Sequence, residues 1–314
     1  MSDNDREKRT TILVTGATGT IGSEVVKQLV SILSSLSSNY NIRAAAHSQN
    51  KTGRLEEFGD KGVEIANLDY TKPETVAHAL NKVDKLFLQT LPVPDVTDIT
   101  SNVVKEAKKN DVKHIVKLSA MGADSEPGST ILRLHGKEEK IIEESGIPYT
   151  FLRPPAFMQN FITQLGYTIR TQSAFYVPAG DAKMSFIDAR DVADIAARIL
   201  TNNNNNNKNG GSQQHVNKAY DITGSDALSY SHVAEILSSE VGKKISYIDV
   251  KEEDARKGMK QMGADDWFID VMLELFRITR AGYGSQTNAA VEHIIGRKPI
   301  SFTQFAKDYA EVLR

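Results

Sequence analysis

Residues 12–22 read Ile-Leu-Val-Thr-Gly-Ala-Thr-Gly-Thr-Ile-Gly, and this stretch constrains the fold more than any other part of the chain. An apolar run ends at Thr15, glycines fall at 16, 19 and 22, and an amphipathic pattern follows at once. A strand must therefore turn sharply and run straight into a helix. Gly16 permits the tight turn, Gly19 leaves room for a pyrophosphate against the backbone, and Gly22 lets the helix pack close to the strand. The loop N–H groups and the positive end of the helix dipole together favour an anion. Set between a strand and a helix at the head of a β-α-β unit, Gly16, Ala17, Thr18, Gly19, Thr20 and Ile21 form the expected cradle for a dinucleotide.

The first half of the chain continues the same alternation. Strands are expected at Thr10–Val14, Ile42–Ala46, Val63–Asn67, Lys85–Gln89, His114–Leu118 and Tyr149–Leu152, with helices at Gly22–Ser34, Glu74–Ala79, Thr97–Lys109 and Leu134–Ser145. This pattern gives an α/β fold with a doubly wound parallel Rossmann sheet. Right-handed crossovers align the carboxyl ends of its strands along one ligand-binding edge. Ala189–Leu200 and Ala219–Thr223 are expected to return to the sheet as a helix and a strand. Helices expected at Ser231–Val241, Glu252–Met262, Trp267–Thr279 and Ser301–Leu313, with one strand at Ile245–Val250, make a smaller, mostly helical C-terminal lobe.

The expected organisation is a disordered N-terminus over 1–9 and a dinucleotide-binding domain over 10–155, rejoined by 186–200 and 216–223. A substrate lobe is built from 156–185 and 224–314. Residues 201–215 include six consecutive asparagines at 202–207 and are too polar to pack, so a disordered surface insertion is expected there.

Composition narrows the function classes. A net charge of -2 gives no general attraction to nucleic acid or to an anionic membrane. The absence of cysteine excludes disulfides, thiol catalysis and thiolate metal sites, and the seven histidines lack ligand spacing, so no metal is expected. The polar N-terminus does not read as a signal peptide, and the apolar runs are strand-sized. A soluble cytoplasmic protein is expected, with nuclear residence left open.

The end of the second strand bears on the choice of dinucleotide. An NAD site usually places Asp or Glu there to hold the ribose 2′-hydroxyl. Here the chain reads Ala46-His47-Ser48-Gln49-Asn50-Lys51, with no acid before Glu56. His47, Ser48 and Lys51 can instead surround a 2′-phosphate, or form no more than a solvated polar loop; the first reading makes NADP(H) the expected cofactor. Asp69, just beyond the third strand, is placed to meet the adenine amino group or simply to serve as a turn acid.

The run Thr-Gly-Ala-Thr-Gly-Thr-Ile-Gly and the segment 135–161 (HGKEEKIIEESGIPYTFLRPPAFMQNF) resemble the NmrA-like family of atypical short-chain dehydrogenases/reductases. Asp-Ile-Thr-Gly-Ser-Asp-Ala-Leu-Ser-Tyr-Ser-His from Asp221 and Arg-Lys-Pro-Ile-Ser-Phe-Thr-Gln-Phe from Arg297 are similar to the same family. The similarity runs over nearly the whole chain from Thr10, apart from the asparagine tract. Such proteins include NADPH-dependent quinone and triphenylmethane-dye reductases, and regulators that bind the dinucleotide as redox sensors. The resemblance implies further cofactor contacts from Gln89, Thr90 and Leu91 after the fourth strand, from His135, and from Phe157, Met158, Gln159 and Asn160 after the sixth. Many relatives carry Arg where this chain has His47, which shifts part of the 2′-phosphate grip to Ser48 and Lys51.

The wider superfamily uses a Tyr and, four residues on, a Lys that lowers the phenol pKa for proton donation. Tyr247 and Lys251 have that spacing but fall in an expected strand, where four residues span about 13 Å. On a helix the same spacing brings side chains within roughly 6 Å. At the expected helix stand His135 and Glu139 instead. Glu139 would fix the imidazole tautomer, and His135 is read as a cofactor contact, a proton donor or a plain surface histidine. Ser119 at the end of the fifth strand would bond a substrate carbonyl or the nicotinamide amide, or cap a turn. Lys137 and Glu138 are expected to be solvated. Phe157, Met158, Phe161, Trp267 and Phe276 would line space for a flat conjugated acceptor such as a quinone, or belong to the core.

Two functions fit these residues. One is a reductase of small electrophiles, and the other a non-catalytic NADPH/NADP sensor acting on a regulated protein partner. Both require NADP(H). One or two charge-assisted bonds to the 2′-phosphate are worth roughly 1.5–3 kcal/mol, or about 10–100-fold in affinity. NADPH should therefore bind more tightly than NADH in calorimetry, and Lys51→Ala should narrow the gap. Equal affinities would refute the assignment.

Overall fold

The computed structural model describes residues 9–35, 40–47, 59–123, 129–201 and 212–314. Ser48 and Lys51, the terminal stretch 1–8 and the tract 202–211 lie outside the described residues. In chain order the nucleotide half comprises β1 (Thr10–Val14), α1 (Thr20–Ser35), β2 (Tyr40–Ala46), β3 (Glu64–Asn67), α2 (Pro73–Leu80), β4 (Lys85–Leu88) and α3 (Val96–Lys109). It continues through β5 (His114–Leu118), α4 (Thr130–Ser145) and β6 (Tyr149–Arg153). Next come α5 (Asn160–Thr163), α6 (Gly166–Gln172), β7 (Ala174–Tyr176), β8 (Lys183–Met184), α7 (Ala189–Thr201), β9 (Lys218–Asp221) and β10 (Leu228–Ser229). The remainder is α8 (Tyr230–Val241), β11 (Ser246–Ile248), α9 (Glu252–Gln261), α10 (Asp266–Arg280), α11 (Ala290–Ile295), α12 (Phe302–Asp308) and α13 (Ala310–Leu313).

Seven strands make one sheet in the order β3-β2-β1-β4-β5-β6-β9. Every pairing in it is parallel. β1 sits between β2 and β4 and is apolar without interruption at Ile12–Val14, because both of its faces are covered. Ile12 and Val14 point into a layer shared with Val25, Val26 and Leu29 of α1 and with Val192, Ile195 and Ile199 of α7. Leu13 points the other way, toward Val76 and Leu80 of α2, Val103 of α3 and Ile142 of α4.

The second lobe has its own core. Phe161 meets Phe175, Phe186 and Phe302 edge-on, with ring centroids 5.4, 5.3 and 5.2 Å away. β7 pairs in parallel with β11, and β8 pairs antiparallel with β10. The short elements over 160–184 were not foreseen, because segments of two to seven residues carry too little periodicity to register. The expected single helix Ser301–Leu313 is split at Tyr309, whose φ of -110 breaks the helical run between α12 and α13.

Two corrections concern boundaries. The expected insertion 201–215 is entered by ordered chain from both sides. Thr201 ends α7, with its carbonyl accepting from Tyr40 Oη at 2.5 Å, and Ser212–His215 form a 3-10 turn. Lys85 Nζ similarly donates to Leu200 O at 2.7 Å, so the end of α7 is held by the sheet. The expected helix Leu134–Ser145 begins four residues earlier, at Thr130. Ser129 stands at its N-cap but makes no cap bond; Glu274 Oε2 of α10 accepts from Thr130 N instead, at 2.6 Å. A start signal supplied from 144 residues away is invisible to local sequence.

The glycine spacing acts mainly through the turn itself. A Cβ on Gly22 would lie 2.2 Å from the Gly16 carbonyl oxygen and 2.6 Å from its carbon, so α1 presses on the loop more than on β1. A Cβ on Gly19 would lie 3.2 Å from the same oxygen, tight but tolerable. Gly22→Ala should therefore lose about 1–3 kcal/mol in urea unfolding, the usual cost of forcing a methyl into packed backbone. Gly19→Ala should lose clearly less. Equal stabilities for the two variants would show that the Gly16–Gly22 contact is not a constraint.

Candidate cofactor and substrate site

The loop after β1 is anchored on both sides. Thr15 N donates to Phe87 O at 3.0 Å, and Ala17 N donates to Ala45 O at 3.1 Å. Gly16 takes a φ of +62, the left-handed region that favours glycine, and its carbonyl accepts from Gly19 N at 2.9 Å. Ala17 and Ile21 turn their side chains into the core, so only their backbone can meet a ligand, whereas Gly16, Thr18, Gly19 and Thr20 are half-buried at the surface. Gln89, just past β4, lies over the loop. Its side-chain amide is 3.3 Å from where a Gly16 Cβ would stand, and its Oε1 is buried without a hydrogen-bond partner. A glycine cradle beside an orphaned buried acceptor suits a ligand carrying both an anion and hydroxyl or amide donors.

At the end of β2 and β3, His47 Nε2 stands 3.6 Å from Asp69 Oδ1, and Lys72 Nζ stands 3.6 Å from Oδ2. Hydrogen bonds from Thr71 Oγ1 at 2.6 Å and Thr71 N at 3.0 Å hold the Asp69 carboxyl below its usual range. Asp69 thus closes a turn through Oδ1, the oxygen that His47 also approaches, while Oδ2 faces Lys72. The histidine read as a 2′-phosphate ligand and the acid read as an adenine ligand are brought together.

The wall formed by β5 and α4 differs from expectation. Glu139 does not serve His135. It accepts Ser119 Oγ at 2.5 Å and both arms of Arg153 at 2.9 and 2.5 Å. Ser119 therefore commits its hydroxyl proton to Glu139 and retains only acceptor capacity toward a ligand. Glu138, expected to be solvated, is 1% exposed and lies against His135, with Oε2 3.2 Å from Nδ1. The same oxygen is 3.2 Å from Lys117 Nζ of β5. Lys137, by contrast, is exposed as expected. The pair i, i+3 rather than i, i+4 is the one that meets here, and both spacings share a helix face. Burial, offset in part by Glu138, holds the His135 imidazole below its ordinary pKa. Burial alone would raise Glu138, but Lys117 and then His135 pull it down to about 2.

Between the sheet's carboxyl edge and the second lobe lies a cavity of about 340 Å³. Gln89, Thr90, Leu91, Ser119, His135, Phe157 and Asn160 line it on the sheet side, and Phe161, Phe276 and Tyr283 on the lobe side. Tyr283 Oη donates to Met121 O at 2.6 Å, tying the far wall to the loop after β5. Three expected residues are not in the wall. Met158 is buried in the second lobe's core, Gln159 bonds Asp188 Oδ1 and Ala189 N at 2.9 Å each, and Trp267 of α10 lies away from the cavity. Tyr247 is confirmed as part of a strand, donating to Val177 O at 3.0 Å. Lys117, Thr100 and Tyr283 were missed. A lysine inside the five-residue apolar strand His114–Leu118 was a usable signal, since such a charge must find a buried partner.

The fold is that of dinucleotide-dependent reductases. The chain belongs to the NmrA-like family, whose model matches residues 8–305. It is 36% identical over 299 residues to an NAD(P)H azoreductase of Xenophilus azovorans, covering 95% of this chain and 98% of that protein. It is also similar to the Citrobacter sp. triphenylmethane reductase structure, with TM-score 0.79, 26% identity and coverage of 96% of this chain and 99% of the other. The structure of that reductase complexed with NADP(H) matches with TM-score 0.78 and 25% identity over 95% and 99% of the two chains.

Because the Gly19 Cβ position faces only the Gly16 oxygen and the tip of Gln89, Gly19→Val should fold with its melting transition lowered by no more than a few degrees. It should nonetheless lose NADPH binding by about 100-fold or more, since the added methyls fill the space a pyrophosphate would occupy. Retained affinity in the folded variant would exclude the loop as the phosphate cradle.

Proposed function

We propose that this protein is an NADPH-dependent reductase of small conjugated electrophiles, such as a quinone, an azo compound or a related dye. One observation carries the reading. The largely apolar cavity, with His135 in its wall, meets the glycine cradle at Gln89, so a flat acceptor there would lie beside the reactive end of a dinucleotide held by the loop. When bound, NADPH supplies the hydride, and the protein's part is placement and exclusion of water.

The loop N–H groups would hold the pyrophosphate, and His47 would meet the 2′-phosphate, with Ser48 and Lys51 its expected partners from the sequence. Asp69 meets the adenine end. Gln89 offers its unpartnered Oε1, and His135 and Ser119 offer acceptors to the carboxamide or to hydroxyls. Leu91, Phe157, Phe161 and Phe276 confine a planar ring and keep water from the reacting carbon. Among the described residues of the wall no strong acid is poised: Ser119 Oγ donates to Glu139, Thr90 Oγ1 donates to Glu138 at 2.7 Å, and burial holds the His135 imidazole below its ordinary pKa. The reduced oxygen or nitrogen of a conjugated acceptor takes its proton from water at the mouth, which frees the site from needing a tyrosine–lysine pair. Among the described residues no helix is long and apolar enough to cross a membrane, in keeping with a cytoplasmic reductase acting on small molecules.

His135→Ala should weaken NADPH binding while single-turnover hydride transfer at saturating NADPH changes less than about tenfold. A fall of about 100-fold, the scale of general acid catalysis, would overturn the positioning role. Tight NADPH binding with no oxidation across a panel of quinones and dyes would move the assignment to the sensor and its protein partner.

A further inference from the structure

The wall beneath His135 contains a pair of charges that hydride transfer does not require. Lys117 of β5 has no solvent exposure, and Glu138 has 1%. Lys117 Nζ donates to Leu118 O at 2.7 Å and Thr90 Oγ1 at 3.1 Å. Glu138 Oε1 accepts the hydroxyls of Thr90 and Thr100, both at 2.7 Å. Its other oxygen is left to be shared by Lys117 and by His135 Nδ1, each 3.2 Å away. A buried ion pair contributes little to stability compared with apolar side chains of the same volume. What it does here is present one negative oxygen to one edge of one imidazole.

His135 Nδ1 is buried and makes no aligned hydrogen bond, while the rest of the ring is 21% exposed where it lines the cavity. In the tautomer protonated at Nε2, the Nδ1 lone pair would face a carboxylate oxygen at contact distance and be repelled. Protonation at Nδ1 turns the positive end of the N–H dipole toward that oxygen instead. Protonating both nitrogens is opposed by burial and by Lys117. Of the two acids favouring it, Glu138 is neutralised by Lys117 and Glu139 by Arg153. We propose that the Lys117–Glu138 pair is a positioning device that fixes His135 as the Nδ1–H tautomer, so that Nε2 faces the cavity as a hydrogen-bond acceptor. The ligand group it takes is then an N–H or O–H donor, such as a carboxamide or a hydroxyl. The effect on NADPH affinity rests on the proposed function; the tautomer does not.

The test uses the full-length chain with 15N-labelled histidine, the His135 signals being assigned by their loss in His135→Asn. In the wild type, long-range proton–nitrogen NMR should show His135 as the neutral Nδ1–H form at about pH 7. Lys117→Met removes the cation that disfavours the imidazolium, so the His135 titration should move upward in pH. If that variant is too unstable because it strands Glu138, the double variant Lys117→Met/Glu138→Leu removes both charges at similar volume. It should fold, lose the Nδ1–H preference and bind NADPH about 10–100-fold more weakly, the scale on which outer partners of oriented histidines act at metal sites. An Nε2–H or doubly protonated His135 in the wild type overturns the proposal, as does a double variant that keeps both tautomer and affinity. The NMR arms need no turnover, so failure of the reductase assignment and failure of this inference give different results.

Discussion

The approach of α1 to the Gly16 carbonyl sets the geometry on which the rest depends. Because Gly22 has no side chain, the first helix starts with only five residues between it and the first strand and leans directly on the turn. That placement brings Val25, Val26 and Leu29 down onto Ile12 and Val14, and α7 packs beside them in the same layer. It also leaves the loop N–H groups at the carboxyl edge, next to the end of β4, where Gln89 crosses over them. Sheet order, loop and cavity rim thus share one steric origin.

A second theme is how the edge of the sheet handles polarity. The strands are buried on both faces, yet β5 contains Lys117 and the helix facing it contains Glu138 and Glu139. Each acid is neutralised separately, Glu138 by Lys117 and Glu139 by Arg153. The two pairs flank the positions where Ser119 and His135 reach the cavity. The wall that meets a ligand is consequently a set of acceptors with their protons already committed inward, set among apolar neighbours. Such a surface suits a substrate that needs orientation and a dry approach more than it needs a proton.

Much of this was legible in the sequence, and for definable reasons. β1 and β5 were read with their observed bounds, because a fully buried parallel strand is an apolar run that its flanking residues end sharply. The glycine trio located the cradle because its residue types follow from backbone sterics. The partner of His135 was misassigned because helical spacing permits both i+3 and i+4. The choice between Glu138 and Glu139 was made by Lys117 and Arg153, which approach from other strands. Trp267, read as lining the cavity or belonging to the core, is not in the cavity wall, because the direction a helix turns depends on what it packs against. Tyr283 was missed because the bond that positions it runs to the Met121 carbonyl, 162 residues away in sequence.

The bond from Thr130 N to Glu274 has a consequence for the order in which the molecule assembles. The first turn of α4 has N–H groups that its own Ser129 leaves uncapped, and the acceptor arrives from the second lobe. While the chain is being synthesised, α10 emerges long after β5 and β6, so the helix bearing His135 completes its leading turn only when the late-made lobe docks. Until then that turn frays, like any helix end without a partner. The cavity rim accordingly depends on a contact made across 144 residues of sequence, and its amide protons should be the least protected on α4 even though the helix's middle is anchored in the core.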